Sequence, residues 1–204
     1  MWGENVKERY LDEQEHAIVR ELIKNPRISD NQISKNTSVP VMTVNRKRKT
    51  LERESLLRYY CSFNAEESGS GVFKAKQLYM LKFRIGITKK EYLEALEYDK
   101  KHIVFNASCI SLSYLGEKSG RLMLMLILVA RSDSELVEEF NGRFIPMVKA
   151  RLGEDAIEDV IVAKITQTLR RHHNYLPHVN MKDGKIKDDW PDSYIFVDRV
   201  KGKM

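Results

Sequence analysis

The sequence predicts an α+β protein, with a helical unit first and an alternating strand–helix unit second. Three observations carry this. Ile28 to Leu57 has the cap and apolar spacings of two short helices joined by a tight turn. Gln77 to Thr168 alternates strand and helix signals in the order βαββαβ. Between them, Asn64 to Lys76 (NAEESGSGVFKAK) is the Gly/Ser-rich stretch of the chain and reads as a linker. The 204 residues thus divide into a helical unit over 1–63, a linker over 64–76, a second unit over 77–168 and a C-terminal extension over 169–204.

A first helix is predicted over about Asp12 to Lys24. Asp12 and Glu15 have cap-like spacing, Ile18, Val19, Leu22 and Ile23 form the inward stripe, and Asn25-Pro26 ends it. Ser29 and Gln32 have capping-box spacing, and Ile28 and Ile33 that of a hydrophobic staple, so a second helix starts at about Asp30. It runs to about Asn36, where Thr37-Ser38-Val39-Pro40 breaks it. Pro40 suits the first turn of a third helix, where its missing N–H costs nothing, and that helix continues to about Glu54. Helical periodicity puts Pro40, Val44, Leu51 and Ser55 on one side of it, flanked by Val41 and Lys47. Met42, Arg46, Lys49 and Arg53 fall on the other, flanked by Thr43, Asn45 and Thr50. Arg48 falls near the apolar stripe and must snorkel or pair.

Charge concentrates on this third helix. From Ile33 to Tyr60 there are seven Lys/Arg against two Glu, an excess of five of the chain's net six positive charges. A basic helix is most often a solvated face, but the capped helix and turn before it favour DNA. Cations on the outer side suit phosphates, and Arg and Asn donors suit base edges in a major groove. The base-reading candidates are Met42, Thr43, Asn45, Arg46 and Lys49, and the phosphate candidates are Lys47, Arg53 and Arg58. Leu56 to Phe63 (LLRYYCSF) is β-prone and aromatic, and reads as a wing or the strand leaving it.

Leu11-Asp12 opening a helix, then Arg27-Ile28-Ser29, Ile33-Ser34-Lys35, Val44, Arg46, Leu51-Glu52 and Leu56-Leu57, resemble the N-terminal domain of Lrp/AsnC-type transcription regulators. The resemblance covers about Leu11 to Thr168 in pattern, with residue-level motifs in its first part. It implies a winged helix-turn-helix followed by an αβ-sandwich effector and oligomerisation domain. The implied function is sequence-specific transcriptional regulation by a homodimer, tetramer or octamer. Three positions depart from the pattern. Ser38 stands where the family usually has the turn glycine, Val39-Pro40-Val41 replaces a Ser-Pro helix start, and Ser55 replaces a glycine after the recognition helix. The resembled family binds small effectors, often amino acids, near the dimer interface, typically with a Gly…Asp pair in the hairpin between the second and third strands. Here Gly116 is present, while Arg121 or its neighbours replace the acidic residue. Gly116 and Gly120 are therefore read as turn formers, and effector-binding residues stay unassigned.

In the second unit, Gln77 to Ile87 is expected as a strand and Thr88 or Lys89 to Lys101 as a helix with Tyr92, Leu93 and Leu96 on one face. Ile103 to Leu115 is strand-like, Glu117 to Gly120 a turn, and Arg121 to Ala130 (RLMLMLILVA) a strand of the fully buried type. Ser132 and Glu135 have capping-box spacing for the next helix, lined by Leu136, Val137, Phe140, Phe144 and Val148. Pro146 should kink or break it, Gly153 ends it, and Ile157 to Thr168 closes as a strand. This order is the ferredoxin-like unit, an antiparallel sheet with helices on one face. The uncovered face needs a partner, and a second copy is the simple one. Two copies also suit a pseudo-palindromic DNA site.

The extension carries Arg170-Arg171-His172-His173, Tyr175, His178, Asp183-Gly184, Trp190 and the run Tyr194 to Val197. It reads as a basic patch followed by a hairpin or arm packing on its own or a neighbouring subunit. With eight Lys/Arg and five Asp it is net positive by three and could add nonspecific DNA contacts. Composition bounds the remaining classes. The chain is 31% charged and 42% hydrophobic, which fits a globular protein able to bury a core. Cys61 and Cys109 are too few and too far apart for a disulfide framework or a metal site. The N-terminus has no signal-peptide core, and Leu122 to Ala130 is too short to span a bilayer, so a cytoplasmic, membrane-free protein is expected. No cofactor is called for. Two other functions compete. One is an architectural, chromatin-like DNA binder. The other is a tetrapyrrole-processing enzyme on the same fold, with His172, His173 or His178 as acid/base groups, but the sequence has no catalytic signature to support it.

Overall fold

The computed structural model describes residues 10–60, 74–96 and 108–198. In order, the described elements are α1 (Glu13–Lys24), α2 (Asp30–Thr37), α3 (Val41–Arg53), β1 (Ala75–Phe83), α4 (Lys89–Leu96), β2 (Ile110–Lys118) and β3 (Arg121–Ala130). They continue with α5 (Asp133–Glu139), a π turn (Phe140–Phe144), α6 (Ile145–Leu152), β4 (Ile157–Lys164), β5 (Met181–Lys182), β6 (Lys185–Ile186) and a 3-10 turn (Asp192–Tyr194). Two compact units result, residues 1–61 together with 168–204, and residues 62–167.

The helical unit starts at a complete capping box. The Asp12 carboxylate accepts from the Glu15 amide at 2.8 Å, and Glu15 accepts from the Asp12 amide at 3.1 Å. Ser29 caps α2 by accepting from the Gln32 amide at 3.2 Å, but the Gln32 side chain donates to Asn36 at 2.8 Å instead of returning to the cap. That box is half formed. Ile18, Leu22, Ile33, Val39 and Val44 make the buried core, with Ile28 and Leu57 packed against it. Ser38 and Ser55 adopt φ of 59° and 58°. These are the two positions where the resemblance places glycine. In this left-handed region a Cβ crowds the following carbonyl, at roughly 1–2 kcal/mol. Ser38→Gly and Ser55→Gly are therefore each expected to raise the unfolding free energy by about 0.5–1 kcal/mol in urea titrations, after the extra freedom of glycine in the unfolded chain is deducted. Unchanged or lower stability would show that neither serine is strained.

Beyond α3 the expected wing strand is absent from the described part, because residues 56–60 are irregular. Residues 61–63, and the linker expectation up to residue 73, lie outside the described residues, while Ala75 and Lys76 already belong to β1. The extension packs on its own helical unit. Its hairpin β5–β6 turns at Asp183-Gly184, with φ of 51° and 76° as a type I′ turn requires. Asn180 is fully buried. Its side chain accepts from the Leu176 amide at 3.0 Å and donates to the Asn174 carbonyl at 2.8 Å. β6 lies against α1. The Tyr175 hydroxyl donates to the Ile23 carbonyl at 3.1 Å, near the C-terminal end of α1, where helix carbonyls lack partners. Asp192 pairs with Lys24 at 3.0 Å and Arg20 at 3.5 Å, while Ile186, Ile195 and Val197 are buried. The rings of Trp190 and Tyr194 meet edge-on at 5.8 Å, and His173 lies 4.5 Å from Phe196.

The second unit is a four-stranded sheet in the order β2-β3-β1-β4 with every neighbour antiparallel. One face is closed: Tyr79, Leu81 and Phe83 of β1 and Leu122, Leu124, Leu126 and Leu128 of β3 are buried with Leu136, Phe140, Phe144 and Val148. β3 is thus not buried on both sides, as its unbroken apolar run suggested, since Met123, Met125 and Ile127 alternate onto the other face and are only half-buried. Apolar run length does not tell a strand covered twice from one awaiting a partner. β2 runs Ile110–Lys118, shifted from the expected span, and residues 97–107 lie outside the described residues. Pro146 does not break its helix. It has no N–H to donate, and the preceding π turn, closed by the Ile145 amide on the Phe140 carbonyl, inserts an extra residue that accommodates it. Ser132 caps α5 at 3.1 Å, but the Glu135 carboxylate accepts from the Arg131 amide at 2.8 Å, one residue before the cap.

Candidate nucleic-acid interface

α3 is held by its inner side and leaves its outer side open. Val44 and Leu51 are buried. Polar contacts then tie it to both preceding helices. The Lys47 ammonium pairs with Asp12 and lies 4.0 Å from Glu15 of α1, and only 11% of its side chain is exposed. Burial opposes ionisation of Asp12, but the Lys47 contact and the Glu15 amide outweigh it and hold the carboxyl below the usual carboxylate range. Asp30, the first residue of α2, accepts from Asn45 at 2.8 Å and from Arg48 at 3.0 Å. Arg48 also donates from Nε to Glu52 at 3.1 Å and to the Tyr59 hydroxyl at 3.0 Å, and its guanidinium lies 5.4 Å from the Tyr59 ring centre. Burial and the Glu52 contact push the Tyr59 hydroxyl up to about 12 against the opposing Arg48 charge, so it stays neutral at physiological pH. Asn36 of α2 donates to the buried Glu21 of α1 at 2.5 Å. Each pair of helices is pinned by at least one polar contact.

What remains outward is a single stripe: Met42, Arg46, Lys49 and Arg53, all exposed. Met42 is 79% exposed. Arg46, Lys49, Arg53 and the exposed Arg58 have no ion pair or side-chain hydrogen bond to another described residue. Thr43 is half-buried beside the stripe. Two candidates are engaged elsewhere. Lys47, expected to meet phosphate, is turned inward to Asp12, and Asn45, expected to read a base, is spent on Asp30. Spacing set Lys47 beside the apolar side but could not show the partners, which lie 15 and 35 residues away. The same distance hid Asp30 and Tyr59, which position α3 and the segment after it. Arg48 behaves as its place on the helical wheel required, by pairing.

The second unit offers a different surface. Register places Tyr114, Met125, Met80 and Ile161 in one row across all four strands, and Leu112, Ile127, Leu78 and Ala163 in the next. Both rows are wholly apolar, yet Tyr114 is 56% and Leu112 49% exposed. The adjoining row holds Gly116, Met123, Lys82 and Asp159. Gly116 sits in β2 and not in the turn, which is made by Ser119 and Gly120 with φ of 55° and 69°. A Cβ on Gly116 would stand 3.1 Å from the Met125 methyl, so glycine there makes room for that side chain. Arg121, where the resembled family has an acidic residue, pairs with Glu158. Among the described residues, no three His, Cys, Asp or Glu are grouped to hold a metal, and no helix is long and apolar enough to cross a membrane. His172, His173 and His178 are exposed.

Residues 11–58 match the family model of winged helix-turn-helix DNA-binding domains. Solved structures match over most of the chain. A transcriptional regulator from Neisseria meningitidis, in complex with L-Met, is 13% identical with a TM-score of 0.57 over 79% of this chain and 93% of its own. E. coli AsnC is 12% identical with a TM-score of 0.56 over 80% of this chain and 97% of its own. The fold is that of the AsnC-type regulators. B. subtilis LrpC, at 16% identity and a TM-score of 0.54, is covered over 99% of its length by 79% of this chain. The AsnC-type fold thus leaves about a fifth of this chain without a counterpart in these structures. No curated protein sequence matches the chain.

Proposed function

We propose that the protein is a cytoplasmic transcriptional regulator that binds double-stranded DNA through α3 as a homodimer. The observation that carries this is the outward stripe of α3, where Arg46, Lys49 and Arg53 stand exposed and unpaired while Lys47 and Arg48 on the same helix are neutralised internally. A stripe of free cations on a helix whose other sides are pinned is the form of a major-groove reader. Met42, Thr43, Arg46 and Lys49 are the base-reading candidates and Arg53 and Arg58 the phosphate contacts. Pairing of two sheet faces supplies the dimer, and tetramers or octamers would build on it. One structure with this fold is a complex with L-Met. A small-molecule modulator is therefore part of the proposal, with its residues unassigned. The role is regulatory and not enzymatic.

Binding of the purified protein to its own promoter fragment and to random duplex, measured across a salt series, tests the reading. A clear margin for the promoter supports a specific regulator. Equal, steeply salt-dependent binding to both would favour an architectural DNA binder, and no binding to either would overturn the DNA reading. Arg46→Ala is expected to weaken promoter binding by about 1–3 kcal/mol with the dimer intact. Unchanged affinity would remove Arg46 from the interface.

A further inference from the structure

We infer that Met42 is a specificity-determining residue that reads the C5-methyl group of thymine, which makes the preferred site depend on thymine methyls close to a guanine. The inference rests on α3 being the DNA-reading helix and adds what that helix reads. Recognition helices contact base edges with their N-terminal residues. In the first three turns of α3, Asn45 is held by Asp30, Lys47 by Asp12, and Arg48 by Asp30, Glu52 and Tyr59. Val44 is buried in the core. Met42, 79% exposed, and Arg46 are left at the N-terminal end of the open stripe.

Met42 has no hydrogen-bonding group suited to a base edge. Among the features a major groove presents, the one an apolar side chain can recognise is the thymine methyl. A thioether on three rotatable bonds can reach and cover such a group without demanding one geometry. Val41, its half-exposed neighbour, extends the apolar end of the helix. Arg46 lies four residues on along the same stripe, about 6 Å further along the helix axis, which corresponds to roughly two base-pair steps. Its guanidinium has the fork that matches guanine O6 and N7. The site it describes therefore has a thymine within about two base pairs of a guanine.

The test begins with duplexes recovered from a randomised library by the full-length protein. Each thymine is then replaced singly by uracil, which removes one methyl and leaves every hydrogen-bonding group in place. Loss of one buried carbon should weaken binding about fourfold at the contacted thymine. In Met42→Ala the same replacement should make no difference, while the salt dependence of binding stays that of the wild type, since no charge is removed. Met42 contributes nothing to the buried core, so this variant keeps the fold. Equal affinity for every uracil variant and its parent would overturn the inference while leaving DNA binding intact. Discrimination that survives in Met42→Ala would also overturn it, by assigning the methyl to another residue. Failure to enrich any sequence would overturn both this inference and specific regulation.

Discussion

If the sheet faces pair as proposed, Met125→Glu is expected to leave the protein monomeric at micromolar concentration where the wild type is dimeric, as read by analytical ultracentrifugation. Met125 lies inside the apolar row that runs from Tyr114 through Met125 and Met80 to Ile161. In a single chain that face is half open, and in a two-fold pair it would be covered. A carboxylate placed there meets no cation within its own row. Burying it unpaired costs several kcal/mol, and two-fold symmetry places the change on both partners. A total of about 6 kcal/mol weakens association by more than about ten-thousandfold. The fold should survive, because the helix-covered core lies on the opposite face of β3, among Leu122, Leu124, Leu126 and Leu128. Far-UV circular dichroism would confirm this. A folded variant that remains dimeric would show that the sheet face is not the interface, and monomeric wild-type protein would do the same.

Ile186→Ala is expected to destabilise the whole helical unit by about 2–5 kcal/mol, the range for truncating a fully buried aliphatic side chain. Ile186 is 1% exposed on β6, which lies against α1. The extension and α1 also share the Tyr175–Ile23 hydrogen bond and the Asp192 ion pairs. If they form one cooperative unit, hydrogen exchange of the α1 amides will accelerate in Ile186→Ala along with that of the extension. Asp192→Ala provides the contrast. Its pairs with Arg20 and Lys24 are partly exposed, and their loss is expected to lower stability by only about 0–1 kcal/mol. Loosening confined to residues 168–198, with α1 unchanged, would show the extension to be an appendage. Of the extension's cations, Lys185 is paired with Asp188 at 3.0 Å and Lys187 donates to the Val179 carbonyl.

Much of this was legible in the residues. The capping box at Asp12 and Glu15, the cap at Ser29, the inward positions of Ile18, Leu22, Ile33, Val44 and Leu51 and the outward stripe of α3 all follow from spacings of three or four residues. Such spacings are local, and helical geometry turns them directly into faces. The strand and helix order of the second unit and the boundaries of β3 were legible from apolar runs bracketed by turn and cap residues, which are also local signals. Where two local signals competed, only the wider setting chose. Gln32 could return to its cap or reach Asn36, and it reaches Asn36. Pro146 could break its helix or be absorbed, and the π turn absorbs it.

By itself, the sequence determined the three-helix core, the antiparallel architecture of the second unit and the side of α3 that faces outward, but not the absence of a strand over residues 56–60. Tertiary structure alone decided which groups hold the inner cations of α3. Periodicity already set Lys47 and Arg48 beside the apolar side, and Asp12 and Asp30, distant in sequence, are the partners that take them while Arg46 and Lys49 stay open. It also decided that residues 168–198 belong with the N-terminal helices, through Tyr175, Asp192 and Ile186 meeting α1 from more than 150 residues away in sequence. Periodicity records how a segment presents its faces, whereas pairing between distant segments depends on where the backbone brings them. No spacing rule contains that information.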